Sequence, residues 1–331
     1  MDLRSEQIFS DNSEYILKEA AGRYGISCEN LKRLGSFESF VYEYEKENKV
    51  YILKITHSIH RTAALIQGEL EWVNYLAAGE VAVTRVVHSI NKRLFERIEV
   101  DSSFFLVYSF EKAPGQSARG MKWSKGLIEN WGQTLGRMHR LTKSFIPSQP
   151  EFRRFQWYED YTMDIDKYIP STQPRVLEKC RRLKEDLYTL PTDGDAYGLI
   201  HCDLQHGNFF IDDGRITVFD FDDCQYHWFA FDIAIPLFYV LRHKSIDSKD
   251  AVFARNFMSS FLDGYRRENK IEKFWLERIP LFLKVREMQL YIILLAENAG
   301  NLNDWCRRFM NGRRESIENE SPIIDLDFTN L

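Results

Sequence analysis

The chain has 331 residues, 44% of them hydrophobic and 28% charged, the balance of a globular protein with a core, and its 14% aromatic content excludes a disordered chain. Lys plus Arg total 44 against 49 for Asp plus Glu, a net charge of -5, which argues against nucleic-acid binding through bulk positive charge. No stretch approaches the roughly 20 apolar residues that span a bilayer. Cys28, Cys180, Cys202, Cys224 and Cys306 lie far apart with no C-x-x-C pair, so the expectation is reduced thiols in a cytoplasmic protein that contacts neither membrane nor nucleic acid.

A helix is expected over 12–24, followed by β runs over 31–34, 40–44 and 50–55, rich in β-branched and aromatic residues. Over 62–78 the period changes, and Leu65, Leu70, Val73, Leu76 and Ala77 define a helix that Gly79 ends. Strands are expected over 84–89, 93–98 and 104–110. Ala113-Pro114-Gly115 is the clear breaker of this region. It places the crossing between two domains, 1–112 and 113–331. Beyond it the pattern is helical over 127–141, 174–190, 231–243, 252–268 and 274–298, with a compact β-and-loop segment over 197–224. The acidic stretch 318–327 reads as a solvated tail. The fold class is therefore α+β, a small β-rich lobe before a larger, mainly helical lobe.

The sharpest signal is His201-Cys202-Asp203-Leu204-Gln205-His206-Gly207-Asn208, a loop between two short apolar runs. Twelve residues after Asn208 comes Asp220, which ends the β-like run Ile216-Thr217-Val218-Phe219. Phosphoryl transfer needs a carboxylate to accept the attacking hydroxyl's proton and oxygen ligands for the metal ions on the phosphates. The spacing H-x-D-L-x-x-x-N followed by D-F matches kinase catalytic and metal loops. With Asp232-Ile233-Ala234 as a third element, the sequence resembles the aminoglycoside phosphotransferase and choline kinase superfamily, which has a bilobal protein-kinase-like fold. The run Phe219-Asp220-Phe221-Asp222-Asp223-Cys224 is similar to the branch that contains type II homoserine kinases. The resemblance spans 31–265. It implies Asp203 as catalytic base and Asn208 and Asp220 as Mg²⁺ ligands. Cys202 stands where the family has Gly, and Gln205 where it commonly has His.

The first lobe is expected to hold ATP. Lys54 sits on an otherwise apolar strand, and an inward-facing ammonium needs an anionic partner. Kinases pair this lysine with a helix glutamate and with the phosphates; Glu69 is the expected partner, with Glu71 left to solvent. One strand earlier, the backbone from Gly35 through Ser36 to Ser39 is placed over the phosphates. The strand over 104–110 leads to the hinge, and the backbone near Val107 and Ser109 is expected to bond the adenine edge. Asp222 and Asp223 read as hydrogen-bonding groups within their loop, Asp232 as a helix cap or buried scaffold, and His139 and His201 as structural. The expected function is ATP-dependent transfer of the γ-phosphoryl of MgATP to a hydroxyl on a small molecule, by a monomer or homodimer. A protein Ser or Thr kinase and a catalytically silent scaffold are the alternatives. No short motif encodes the acceptor.

Overall fold

A β-rich first part and a helical second part are seen in the computed structural model, which describes residues 3–36, 39–118, 123–243, 247, 249–296 and 303–331. Helices α1 (Leu3–Asp11) and α2 (Ser13–Arg23) precede strands β1 (Lys32–Ser36), β2 (Phe40–Lys46) and β3 (Lys49–His57). Helix α3 (Ala63–Ala78) leads to β4 (Val86–Val87), β5 (Phe95–Val100) and β6 (Ser103–Glu111). The strands form one antiparallel sheet in the order β1-β2-β3-β6-β4, with β5 also paired to β6. Strand alternation divides its side chains between two faces. Leu53, Ile55, Phe105 and Val107 pack with Phe9, Ile16, Ala20 and Tyr24 of α1 and α2. On the opposite face the register aligns Gly35, Val41, Lys54 and Tyr108 across four strands. Helix α1 was not expected before residue 12. It forms because Phe9 stacks on Phe40, ring centroids 3.6 Å apart, and meets Phe105 edge-on.

The second part comprises β7 (Gln116–Ser117), α4 (Lys125–Thr142), α5 (Ile165–Tyr168), α6 (Pro174–Tyr188), β8 (Tyr197–Ile200), β9 (Phe209–Asp212), β10 (Arg215–Val218) and β11 (Gln225–Trp228). Then come α7 (Phe229–Val240), α8 (Ala251–Tyr265), α9 (Lys273–Leu276), α10 (Ile279–Ala296), α11 (Asp304–Met310) and α12 (Arg313–Glu318). The helix expected over 274–298 is two helices. Pro280 lies in the first turn of α10, where its missing amide hydrogen costs nothing, and a continuous helix would not tolerate it. The stretch 318–327 is not a free tail either, since Ile324 and the neighbouring Phe328 are buried. Antiparallel pairing of β7 with β9 carries the chain into the second lobe. Among the described residues no helix is long and apolar enough to cross a membrane.

Candidate active site

The spacing between Asn208 and Asp220 is the length of a hairpin. Strands β9 and β10 pair from Phe209 with Val218 to Asp212 with Arg215. Their two-residue turn, Asp213 and Gly214, has φ of +46° and +74°, the left-handed pair that a tight hairpin with matching twist requires. At the open end the Phe219 amide donates to the Asn208 carbonyl at 3.0 Å. Asn208 and Asp220 are thereby held side by side at one end of the hairpin. The Asn208 Nδ2 donates to both the carbonyl (2.9 Å) and Oδ2 (2.8 Å) of Asp203, so the expected base and metal ligands share one network.

A buried carboxylate braces this loop from behind. Asp232, in the first turn of α7, accepts from the amides of His201 (3.1 Å) and Cys202 (3.0 Å) and from His139 Nε2 (3.1 Å). Burial lowers the pKa of His139, whose Nδ1 meets the Tyr265 hydroxyl at 3.0 Å. The His201 ring links the two motif loops: Nδ1 accepts from the Asp203 amide (3.3 Å) and Nε2 donates to the Phe219 carbonyl (3.1 Å). Cys202, in the place of the family's Gly, has φ of +65°, a left-handed conformation that costs a residue with a Cβ about 1 kcal/mol.

Asp203 Oδ1 accepts from Arg286 Nη2 at 2.6 Å, and the same nitrogen donates to the Tyr239 hydroxyl at 2.6 Å. Burial pushes the Asp203 carboxyl up to about 7, with Arg286 pulling it back. Arg286 (α10) and Tyr239 (α7) were not found from sequence. They lie far along the chain on helices whose other residues read as core.

Lys54 Nζ donates to Asp220 Oδ1 at 2.6 Å, which corrects the expected Lys54–Glu69 pair. Burial disfavours the Lys54 charge, but Asp220, Tyr108, Glu69 and Asp222 together outweigh burial and hold the ammonium well above its ordinary value. Glu69 is fully buried, and neither carboxylate oxygen has a hydrogen-bond partner among the described residues. Burial first, and then the Asp222 charge, push its carboxyl up to about 7. The separation has a structural cause, because α3 is fastened to the second lobe. Arg154 donates to the carbonyls of Leu65 (3.0 Å), Cys224 (2.8 Å) and Asp222. A Cβ on Gly68 would collide with the Phe152 carbonyl. Glu71 points away from Lys54, to the Ser148 amide (2.9 Å) and to Gln67 (2.9 Å).

Gly35 shares the Lys54 row of the sheet, while Phe37, Glu38 and the Ser36 side chain lie outside the described residues. Ser39 is buried, with Oγ 2.7 Å from Thr56 Oγ1, so its hydroxyl is committed to the sheet. Val107 and Ser109 also require correction. Both are fully buried in β6, Val107 between β3 and β5 and Ser109 between β3 and β4. Ladders on both sides occupy the backbone groups that were assigned to adenine, and the strand continues to Glu111. Asp222 bonds outside its own loop, to His60 Nε2 (3.0 Å) and Arg61 Nη2 (3.2 Å). The Asp223 carboxylate is 43% exposed, with Oδ1 3.6 Å from Arg61 Nη2.

A family model described as the phosphotransferase enzyme family matches residues 30–269. The chain belongs to that family. It is 40% identical over 323 residues to the amicoumacin kinase of Bacillus subtilis (strain 168), covering 97% of this chain and 96% of that one. Among solved structures, amicoumacin kinase hAmiN in complex with AMP-PNP, Ca²⁺ and Ami superposes with a TM-score of 0.94 at 37% identity, covering 100% of this chain and 99% of hAmiN. A microcompartment-associated aminopropanol kinase shares the fold, with a TM-score of 0.73 at 20% identity over 92% of this chain and 95% of its own. This family member is a kinase, a phosphotransferase that acts on a hydroxyl group.

Proposed function

We propose that the kinase transfers the γ-phosphoryl of ATP to a hydroxyl of an amicoumacin-like small molecule. The first lobe, 1–112, would hold the nucleotide, and the second, 113–331, the base and the acceptor. The observation that carries the reading is the meeting of Asp203, Asn208, Asp220 and Lys54 in one hydrogen-bonded set. The acceptor class rests on 40% identity to an amicoumacin kinase over nearly the whole of both chains.

The donor set fits a magnesium ion. Asn208 Oδ1 accepts no hydrogen bond among the described residues, because Nδ2 makes both of that amide's contacts with Asp203. The Asp220 carboxylate is 46% exposed, and amide and carboxylate oxygens are hard ligands. Among the described residues no group of three or more His, Cys, Asp or Glu could hold a metal alone. This suits an ion that completes its shell with phosphate oxygens and water. Bound there, it would neutralise charge on the phosphates. Lys54 would meet the α- and β-phosphates, Asp203 would orient the acceptor hydroxyl and take its proton, and Asp232 would keep the loop rigid.

Incubation of the purified protein with MgATP and amicoumacin should give product heavier by one phosphoryl group, and Asp203→Asn should lower that rate by about 1,000-fold while still binding nucleotide. Amicoumacin left unchanged while another pooled hydroxyl compound is phosphorylated would refute the acceptor assignment.

A further inference from the structure

Asp203 has one carboxylate oxygen to offer an acceptor. Oδ2 is held by the Asn208 amide, and Oδ1, where the attacking hydroxyl must donate, already meets Arg286 Nη2 at 2.6 Å. The arginine side chain is only 8% exposed. Its two hydrogen bonds among the described residues both use Nη2, to Asp203 and Tyr239. Nη1 has no partner among the described residues, and Nε is buried without one. A guanidinium with unmatched donors in such a place is expensive, and an oxygen-rich anion from a ligand would match them.

The reaction supplies one at this position. The acceptor oxygen bonds to the γ-phosphorus as the bond from that phosphorus to the bridging oxygen breaks. The hydroxyl proton passes to Asp203 Oδ1, and the electron pair leaves with ADP. Two anions, the base and the phosphoryl group, must therefore face each other across the attacking oxygen. A cation that reaches both relieves that repulsion beside the metal ion; Arg286 already touches the base, whereas Lys54 is held by Asp220.

We infer, resting on the phosphotransferase reading, that Arg286 is a catalytic residue whose free donors take a non-bridging oxygen of the phosphoryl group in transfer, with Tyr239 fixing its position. The planar fork of arginine can hold Asp203 and a phosphoryl oxygen at once with fixed donors, where a lysine offers a single point charge. The second lobe thus contributes a cation to the transferring group as well as the base, and the acceptor hydroxyl binds between them without displacing the arginine.

The test follows MgATP hydrolysis, which needs no acceptor, together with phosphoryl transfer. Arg286→Met should lower both by about 100-fold with nucleotide affinity unchanged. The loss should persist at about pH 9, where a carboxylate is ionised with or without a neighbouring cation, and added guanidinium ion should restore part of it. Arg286→Lys should retain more activity than Arg286→Met. If Arg286→Met does not fold, Tyr239→Phe carries the test, with an expected loss in both rates of about ten-fold from a misplaced guanidinium. Hydrolysis at the wild-type rate in the variant used, or full recovery at alkaline pH, would overturn the inference. Wild-type protein that hydrolyses MgATP but leaves amicoumacin untouched would sink the acceptor assignment alone, with Arg286 still judged by hydrolysis. Wild-type protein that binds MgATP and neither hydrolyses nor transfers it overturns both readings.

Discussion

Neighbouring carboxylates of one loop do different work because their partners differ. Asp220 presents a half-exposed carboxylate to Lys54 from a backbone with φ of +66°. The Asp222 carboxylate, 7% exposed, is wrapped by His60 and Arg61. Removing either strips a mostly buried cation of its shortest ion pair, Lys54 in the first case and Arg61 in the second, but Arg61 keeps Asp223 at 3.6 Å, and only the first takes away a proposed metal ligand. Asp220→Ala should therefore abolish Mg²⁺-dependent nucleotide binding and, because it leaves the buried Lys54 ammonium unpaired, cost about 3 kcal/mol of stability. Asp222→Ala should cost about 3 kcal/mol of stability and affect nucleotide binding less. Nucleotide titration with and without Mg²⁺ separates the two, and denaturant unfolding measures both losses of stability. Equal loss of nucleotide binding in both variants would mean that both carboxylates hold the metal.

Helices α4 and α8 cross with almost no space between their backbones, and this contact supports the catalytic loop. A Cβ on Gly132 would strike the Phe261 carbonyl, and one on Gly264 the Glu129 carbonyl. The same crossing aligns His139 of α4 with Tyr265 of α8 behind Asp232. Gly132→Ala should cost about 3 kcal/mol through overpacking, whereas Gly126→Ala, with nothing within 4 Å of the added Cβ, should change stability by less than about 1 kcal/mol. Similar unfolding midpoints for the two variants would show that the helices can move apart. This close approach explains which parts of the fold and site were legible in sequence. Asp203, Asn208 and Asp220 were readable because a short loop and a hairpin convert their spacing directly into proximity. The inward Lys54 was readable from alternation, but not its partner, since Asp220 arrives 166 residues later through a lobe contact. Val107 and Ser109 were misplaced because a strand's apolar run does not reveal where its neighbours stop pairing. Arg286 carries no local pattern, and only the packing of α10 against α7 brings it to Asp203.

At the scale of the molecule, the sheet carries Lys54 while the second lobe carries Asp220 and, through Arg154 and Gly68, restrains α3 with Glu69. Nucleotide phosphates and a metal on Asp220 would compete with Lys54 for that carboxylate. A small shift of β3 toward α3 would then give the lysine Glu69 as a second anion. The protonation of Glu69 reports this exchange. Its carboxyl stands at about 7 against an ordinary 4.5, so the folded protein holds a proton that the unfolded chain releases as pH rises between those values. Stability should therefore decline through that window, and Glu69→Gln should remove this contribution to the decline. An approaching ammonium favours the carboxylate and lowers its pKa. Binding of MgATP near pH 7 should consequently release a fraction of a proton from Glu69. Calorimetry in buffers of different ionisation enthalpy measures that release as a slope, and Glu69→Gln should reduce it. The same slope in both proteins would show that Lys54 does not draw closer to Glu69 when nucleotide binds, leaving the lobe contact through Asp220 as the lysine's working position.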